Sequence, residues 1–122
     1  MRLGLDIGGT KIEAVVIDNA GEIVFRERCA TPKQSYGDFF QAVTEMIAKA
    51  RLAVNQPFSV GVGVPGAVDS EGLIKNSNIL VLNQQAFAQD LERASGMPVP
   101  VTNDANCFTL SEAMDGSGRG HS

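Results

Sequence analysis

Tryptophan is absent from this 122-residue chain, tyrosine and histidine occur once each, and there are two cysteines. The lone His121 cannot complete a His/Cys zinc site within the chain. Cys29 and Cys107 are far apart and neither has a CxxC partner. That excludes a secreted disulfide scaffold and leaves two thiols suited to a reducing cytosol. Basic charge is also scarce: 10 Lys and Arg stand against 14 Asp and Glu, a net charge of −4. A nucleic-acid binder would show a basic patch, so no nucleic-acid partner is expected. No apolar run approaches the length of a membrane span, so no membrane partner is expected either. No charged, apolar and small-residue sequence opens the chain, so a signal peptide is not expected and the protein should be cytoplasmic.

What is present suits a single globular domain. Apolar residues make up 43% and charged residues 20%, an ordinary balance for a chain that can bury a core. Leu3, Leu5 and Ile7 alternate with smaller or polar neighbours and predict a strand. Gly8-Gly9 turns the chain, and residues 12–17 predict a second strand. Residues 18–22, with Asp, Asn and Gly, form a tight turn into a third strand from Ile23 to about Thr31. Strands joined by such short turns must be antiparallel neighbours. Ser35 and Asp38 resemble a capping box before Phe39, Val43, Met46, Ile47, Ala50 and Val54, which recur at helical spacing. Residues 60–64 form a short apolar run with no polar face, as in a parallel strand covered on both sides. Residues 69–78 are polar and turn-rich, without a period. A second helix is predicted over residues 84–95, with Phe87, Leu91 and Ala94 buried and Gly96 and Pro98 ending it. Another buried strand covers 99–102, and residues 105–114 look helical. The fold class is α/β with a mixed sheet: three antiparallel strands, then helix, strand, helix, strand, helix. The domain occupies residues 1–115, and the Gly/Ser-rich tail 116–122 is expected to be mobile.

Three stretches can carry chemistry. The turn Asp6-Ile7-Gly8-Gly9-Thr10-Lys11 is either a plain hairpin or a phosphate cradle. Glycine N–H groups without a Cβ let a phosphate approach, Thr10 adds a hydroxyl and Lys11 a positive charge. Asp6, at the strand end, is a hard oxygen ligand suited to Mg²⁺ through water. Residues 61–66 spell GxGxxG, but the first two glycines lie inside a strand and no helix follows Gly66, so a dinucleotide fingerprint is rejected. The third stretch is Asn103-Asp104-Ala105-Asn106, at the C-terminal end of a buried strand. Asn103 or Asp104 is there either a helix cap or a ligand at the edge where open α/β sheets bind their substrates. Asn76-Ser77-Asn78 adds a loop of hydrogen-bonding side chains of the kind a polyhydroxylated ligand requires.

Together these motifs, with Cys107 and Ser111-Glu112-Ala113 after them, resemble the ROK family of sugar kinases over essentially the whole chain. The resemblance implies the ribonuclease H-like fold of the actin/hexokinase/Hsp70 type. It implies transfer of the γ-phosphate of ATP, with Mg²⁺, to a hexose or N-acetylhexosamine, most often at the C6 hydroxyl. On this resemblance Asp104 is the catalytic base and also lies at the sugar, Asn103 binds the sugar hydroxyls, and Gly66, Ser77 and Asn78 line the sugar pocket. Asp6, Gly8, Gly9, Thr10 and Lys11 form the phosphate and Mg²⁺ turn. Lys75-Asn76-Ser77-Asn78 and Leu82-Asn83 look most like fructokinases; the stretch from Asn103 to Phe108 looks nearly as much like N-acetylglucosamine kinases. Family members are at least about twice this length, so a C-terminal domain carrying the adenosine and zinc sites is expected to be missing from this chain. The family usually forms dimers, so a homo-oligomer is expected. A sugar-responsive regulator of the same family is disfavoured by the negative charge and by a strand that begins at the second residue. A non-catalytic sugar-binding domain is the third possibility.

Overall fold

A computed structural model describes residues 1–103, and the predicted helix over 105–114 and the tail lie outside them. Strands β1 (Arg2–Ile7), β2 (Lys11–Ile17) and β3 (Ile23–Ala30) form the predicted meander. Helix α1 (Tyr36–Val54) leads to β4 (Ser59–Val64), and helix α2 (Phe87–Ser95) leads to β7 (Val101–Asn103). Between β4 and α2 lie a two-stranded hairpin, β5 (Ala67–Val68) and β6 (Ile74–Lys75), and a single 3-10 turn, Leu80–Leu82. The five-stranded sheet has the order β3-β2-β1-β4-β7. β1 is antiparallel to β2 and parallel to β4, and β4 is parallel to β7. The sheet is therefore mixed, and β1, β4 and β7 end at the same edge.

The core is what the alternation foretold. Leu3, Leu5 and Ile7 of β1 and Ile12, Ala14 and Val16 of β2 are fully buried. Ser35 caps α1 by accepting a hydrogen bond from the Asp38 N–H at 3.0 Å. Asn55, in the left-handed conformation at φ 50°, closes it. The helix lays Phe39, Val43, Met46, Ile47 and Ala50 against β2 and β3. Phe39 and Phe87 meet at 5.4 Å between ring centroids, and the Tyr36 hydroxyl donates to the Asp90 carboxylate at 2.6 Å, so α2 docks on the start of α1.

Four expectations need correction. The polar stretch 69–78 contains the β5–β6 hairpin and buries Ile74. Its turn repeats that between β2 and β3. Asp18 and Asp69 each accept two backbone N–H groups on Oδ1 at 2.9 Å, from residues two and four ahead. Gly21 and Gly72 each sit three residues on, with φ of 85° and 84°. The second helix begins at Phe87, not at residue 84, because Gln84 has φ 70° and the backbone of Gln84 and Gln85 is taken up by hydrogen bonds to Ile74 at 2.8 and 3.0 Å. Ala94 is exposed: it lines an open groove of about 410 Å³ between α1 and α2, with Ile47, Leu52 and Leu91. The last strand also starts two residues late, although Val99 is fully buried.

Asp69 ties this hairpin to pH. The Leu73 N–H holds its carboxyl below the usual aspartate range; partial burial opposes this, and the Glu71 N–H and Lys75 reinforce it. A carboxylate with a depressed folded pKa stabilises the fold above its unfolded pKa, and that stability is lost as pH falls through the folded value. Asp69→Asn is therefore expected to lower the urea midpoint at pH 7 and to match the wild type once the pH is well below ~4. Equal midpoints at pH 7 would show that the charge contributes nothing.

Candidate active site at the C-terminal edge of the sheet

The glycine turn lies where β1 ends. The Gly8 N–H donates to the Lys11 carbonyl at 2.9 Å, closing the turn. Neither Gly8 nor Gly9 lies in the left-handed region, so φ does not require glycine at either position. Asp6 is the exposed residue of an otherwise buried strand, so its side chain faces away from the core that Leu5 and Ile7 enter. In register it stands opposite Glu13 of β2 and beside Gly63 of β4. Like charges directly opposite are destabilising, and Glu13 is drawn to Arg28 at 3.2 Å and Arg26 at 3.7 Å. Thr10 and Lys11 are exposed.

The loop 76–78 is brought against this turn. A Cβ on Gly9 would stand 3.6 Å from Asn78 Nδ2. Asn76 adopts φ 58°, which turns the loop back after β6. Asn83 fixes it by pairing with the backbone of Ser77: its Oδ1 accepts from the Ser77 N–H at 2.9 Å and its Nδ2 donates to the Ser77 carbonyl at 3.1 Å. Ser77 itself is 4% exposed, and its Oγ accepts the Ile79 N–H at 3.1 Å. Its hydroxyl oxygen thus helps build the loop that carries Asn78.

Gly66 and Asn103 join the other two strand ends. Asn103 Nδ2 donates to the Gly66 carbonyl. Gly66 has φ 106°, and a Cβ there would stand 2.6 Å from the Lys75 carbonyl oxygen. The edge therefore gathers the turn 6–11, Gly66, Ser77, Asn78 and Asn103; Asp104 lies outside the described residues. Two contributors were not foreseen. From sequence alone, Asn83 stands out only as part of a family pattern. Thr31, at the end of the meander, bonds the Gly8 carbonyl from 23 positions away, a tertiary pairing with no local signal.

The donor set suits a nucleotide phosphate and a hard cation. One turn carries the glycine backbone, the Thr10 hydroxyl and the Lys11 ammonium group, and the exposed Asp6 stands just before it. Among the described residues no group of three or more His, Cys, Asp or Glu could hold a metal ion. No helix among them is long and apolar enough to cross a membrane.

The domain is thus an α/β fold with a glycine turn, a polar loop and an Asn gathered at one strand edge, and comparison with known proteins gives its family. The ROK family model matches residues 2–122, and the chain belongs to the ROK family. It is 41% identical over its whole length to the N-acetylgalactosamine kinase AgaK of Shewanella sp. (strain ANA-3), covering 40% of that protein. Over 94% of the chain it is 41% identical to the N-acetyl-D-glucosamine kinase of Pasteurella multocida (strain Pm70), covering 38% of it. Among solved structures, a ROK family glucokinase from Streptomyces griseus, in complex with glucose and AMPPNP, superposes with a TM-score of 0.75 at 31% identity, over 98% of this chain and 38% of that one. The chain thus spans about two-fifths of the length of the curated relatives it matches.

Proposed function

We propose that this chain is the N-terminal domain of a longer ATP-dependent sugar kinase with a ribonuclease H-like fold of the actin/hexokinase type. The observation that carries it is the meeting of the glycine turn with the loop 76–78, at Gly9 and Asn78, on the edge where β1, β4 and β7 all end. ATP and a sugar bound at these two features would be neighbours. Kinases need mainly such positioning and charge stabilisation. Gly9, Thr10 and Lys11 would hold the phosphates on the turn that Gly8 closes, and Asp6 would hold Mg²⁺ through water. The metal, when bound, neutralises phosphate charge. Gly66, Ser77, Asn78 and Asn103 line the sugar pocket. Asp104, next in sequence after Asn103, takes the proton from the attacking hydroxyl, on C6 for a hexose.

The two curated relatives favour an acetamido sugar over the fructokinase-like acceptor, so N-acetylglucosamine and N-acetylgalactosamine stand ahead of fructose as substrates. A cytoplasmic homo-oligomer, acting on small molecules only, belongs to the same proposal. ATP-dependent phosphorylation by the full-length protein tests it, with these sugars, glucose, mannose and N-acetylmannosamine as acceptors. Transfer to none of them overturns it.

The glycine turn gives a sharper test. Gly9→Val is expected to raise KM for ATP about tenfold to a hundredfold, the scale of lost charge-assisted hydrogen bonds. Gly9→Ala should lose less, because its Cβ would meet Asn78 at an ordinary 3.6 Å. An unchanged KM for ATP in Gly9→Val removes the phosphate from this turn.

A further inference from the structure

Thr31 is buried, 6% exposed, immediately after β3. Both of its polar donors reach the glycine turn. Its N–H donates to the Thr10 carbonyl at 3.0 Å and its hydroxyl to the Gly8 carbonyl at 2.8 Å. The carbonyls on either side of Gly9 are thus held by one residue from outside the turn. Any residue but proline could supply the first bond, since it comes from the main chain. The second needs a side-chain hydroxyl.

That second bond decides where the Gly9 N–H points. The described chain has no cis peptide, and in a trans peptide the N–H lies opposite the preceding carbonyl. With the Gly8 carbonyl drawn to Thr31, the Gly9 N–H is directed away from Thr31. A peptide plane free to flip would offer a carbonyl oxygen in its place, and that dipole repels an anion. A bare glycine pair has little of its own to prevent the flip, because glycine is the most permissive residue.

We propose that Thr31 is a positioning residue for nucleotide phosphate: its hydroxyl fixes the peptide between Gly8 and Gly9 so that the Gly9 N–H faces the anion, while Thr31 itself stays out of contact with it. This rests on the proposed sugar-kinase function. The role is confined to the phosphate turn, so it should show in nucleotide affinity and not in sugar affinity.

The test uses the full-length protein and its Thr31→Val and Thr31→Ser variants. Initial rates are measured against ATP at saturating sugar and against sugar at saturating ATP, with the melting temperature of each variant. Thr31→Val keeps the shape and loses the hydroxyl; KM for ATP is expected to rise about tenfold, the scale of one hydrogen bond's net worth. KM for the sugar should stay within about twofold, and Thr31→Ser should restore the wild-type value for ATP. If Thr31→Val does not fold, Thr31→Ala against Thr31→Ser repeats the comparison of hydroxyl with none. An active enzyme whose ATP affinity ignores the hydroxyl overturns this inference alone. So does a rise in both KM values that serine fails to reverse, which would mark a packing role. A wild type that phosphorylates no sugar overturns the kinase function and this inference with it.

Discussion

Replacing Asp104 with asparagine in the full-length protein is expected to cut turnover at least ~100-fold, with sugar binding little changed. The expectation comes from position and chemistry together. Asp104 follows Asn103 directly, and Asn103 ends β7 with its amide on the Gly66 carbonyl. Asn103 thus ends the strand that runs parallel to β4, at the edge that also holds the glycine turn. Asparagine keeps the size and a hydrogen-bonding oxygen, so a sugar held by several groups should still bind. What it cannot do is accept the proton that the attacking hydroxyl loses as its oxygen bonds to phosphorus. Measuring kcat beside sugar affinity by calorimetry separates the two effects. Near-normal turnover would reduce Asp104 to a helix cap, and a parallel loss of sugar binding would make it a binding residue first.

Where sequence foretold structure, a single local cause was enough. The alternation through β1 and β2 needed only a buried face, and the stripe of α1 needed only a sheet to cover. Ser35 capped α1 because the N-terminal N–H groups of a helix have no other partner. Where sequence failed, two segments competed for the same backbone. Gln84 and Gln85 suit a helix, but Ile74, ten and eleven positions earlier, takes up their backbone groups. The β5–β6 turn was legible in principle, since Asp69 and Gly72 repeat the spacing of Asp18 and Gly21. Its strands are two residues long, too short to show an alternation. The same division holds at the site. The glycine turn, Gly66, Asn78 and Asn103 stand out by residue type. Thr31 and Asn83 do not, because what they do is hold other residues' main chains, and only the fold reveals that.

Gly66→Ala is expected to disrupt the whole edge. At φ 106° an alanine is strained wherever it stands, at a cost of about 1–3 kcal/mol. Here its Cβ would also lie 2.6 Å from the Lys75 carbonyl oxygen and 3.0 Å from Ser77 N and Cα. These are backbone atoms, and the Asn83 amide pins the Ser77 main chain through two hydrogen bonds. The neighbours cannot simply turn away. Relief requires the loop 76–78 to move off the strand end, which would take Asn78 away from Gly9 and strain the link from Asn103. Overpacking of this kind adds about 1–3 kcal/mol, so the total loss should be roughly 2–6 kcal/mol. Two natural controls isolate the steric part. Gly72→Ala has the same kind of φ, 84°, but its Cβ would meet the flexible Gln89 amide at 3.4 Å. Gly21→Ala, at φ 85°, would meet nothing within 4 Å. Both should show the backbone strain alone, with sugar affinity preserved. Thermal melts and sugar titrations of the three variants provide the comparison. If Gly66→Ala melts no lower than Gly72→Ala and binds sugar normally, the packing of strand end, hairpin and sugar loop around one glycine does not hold the site together.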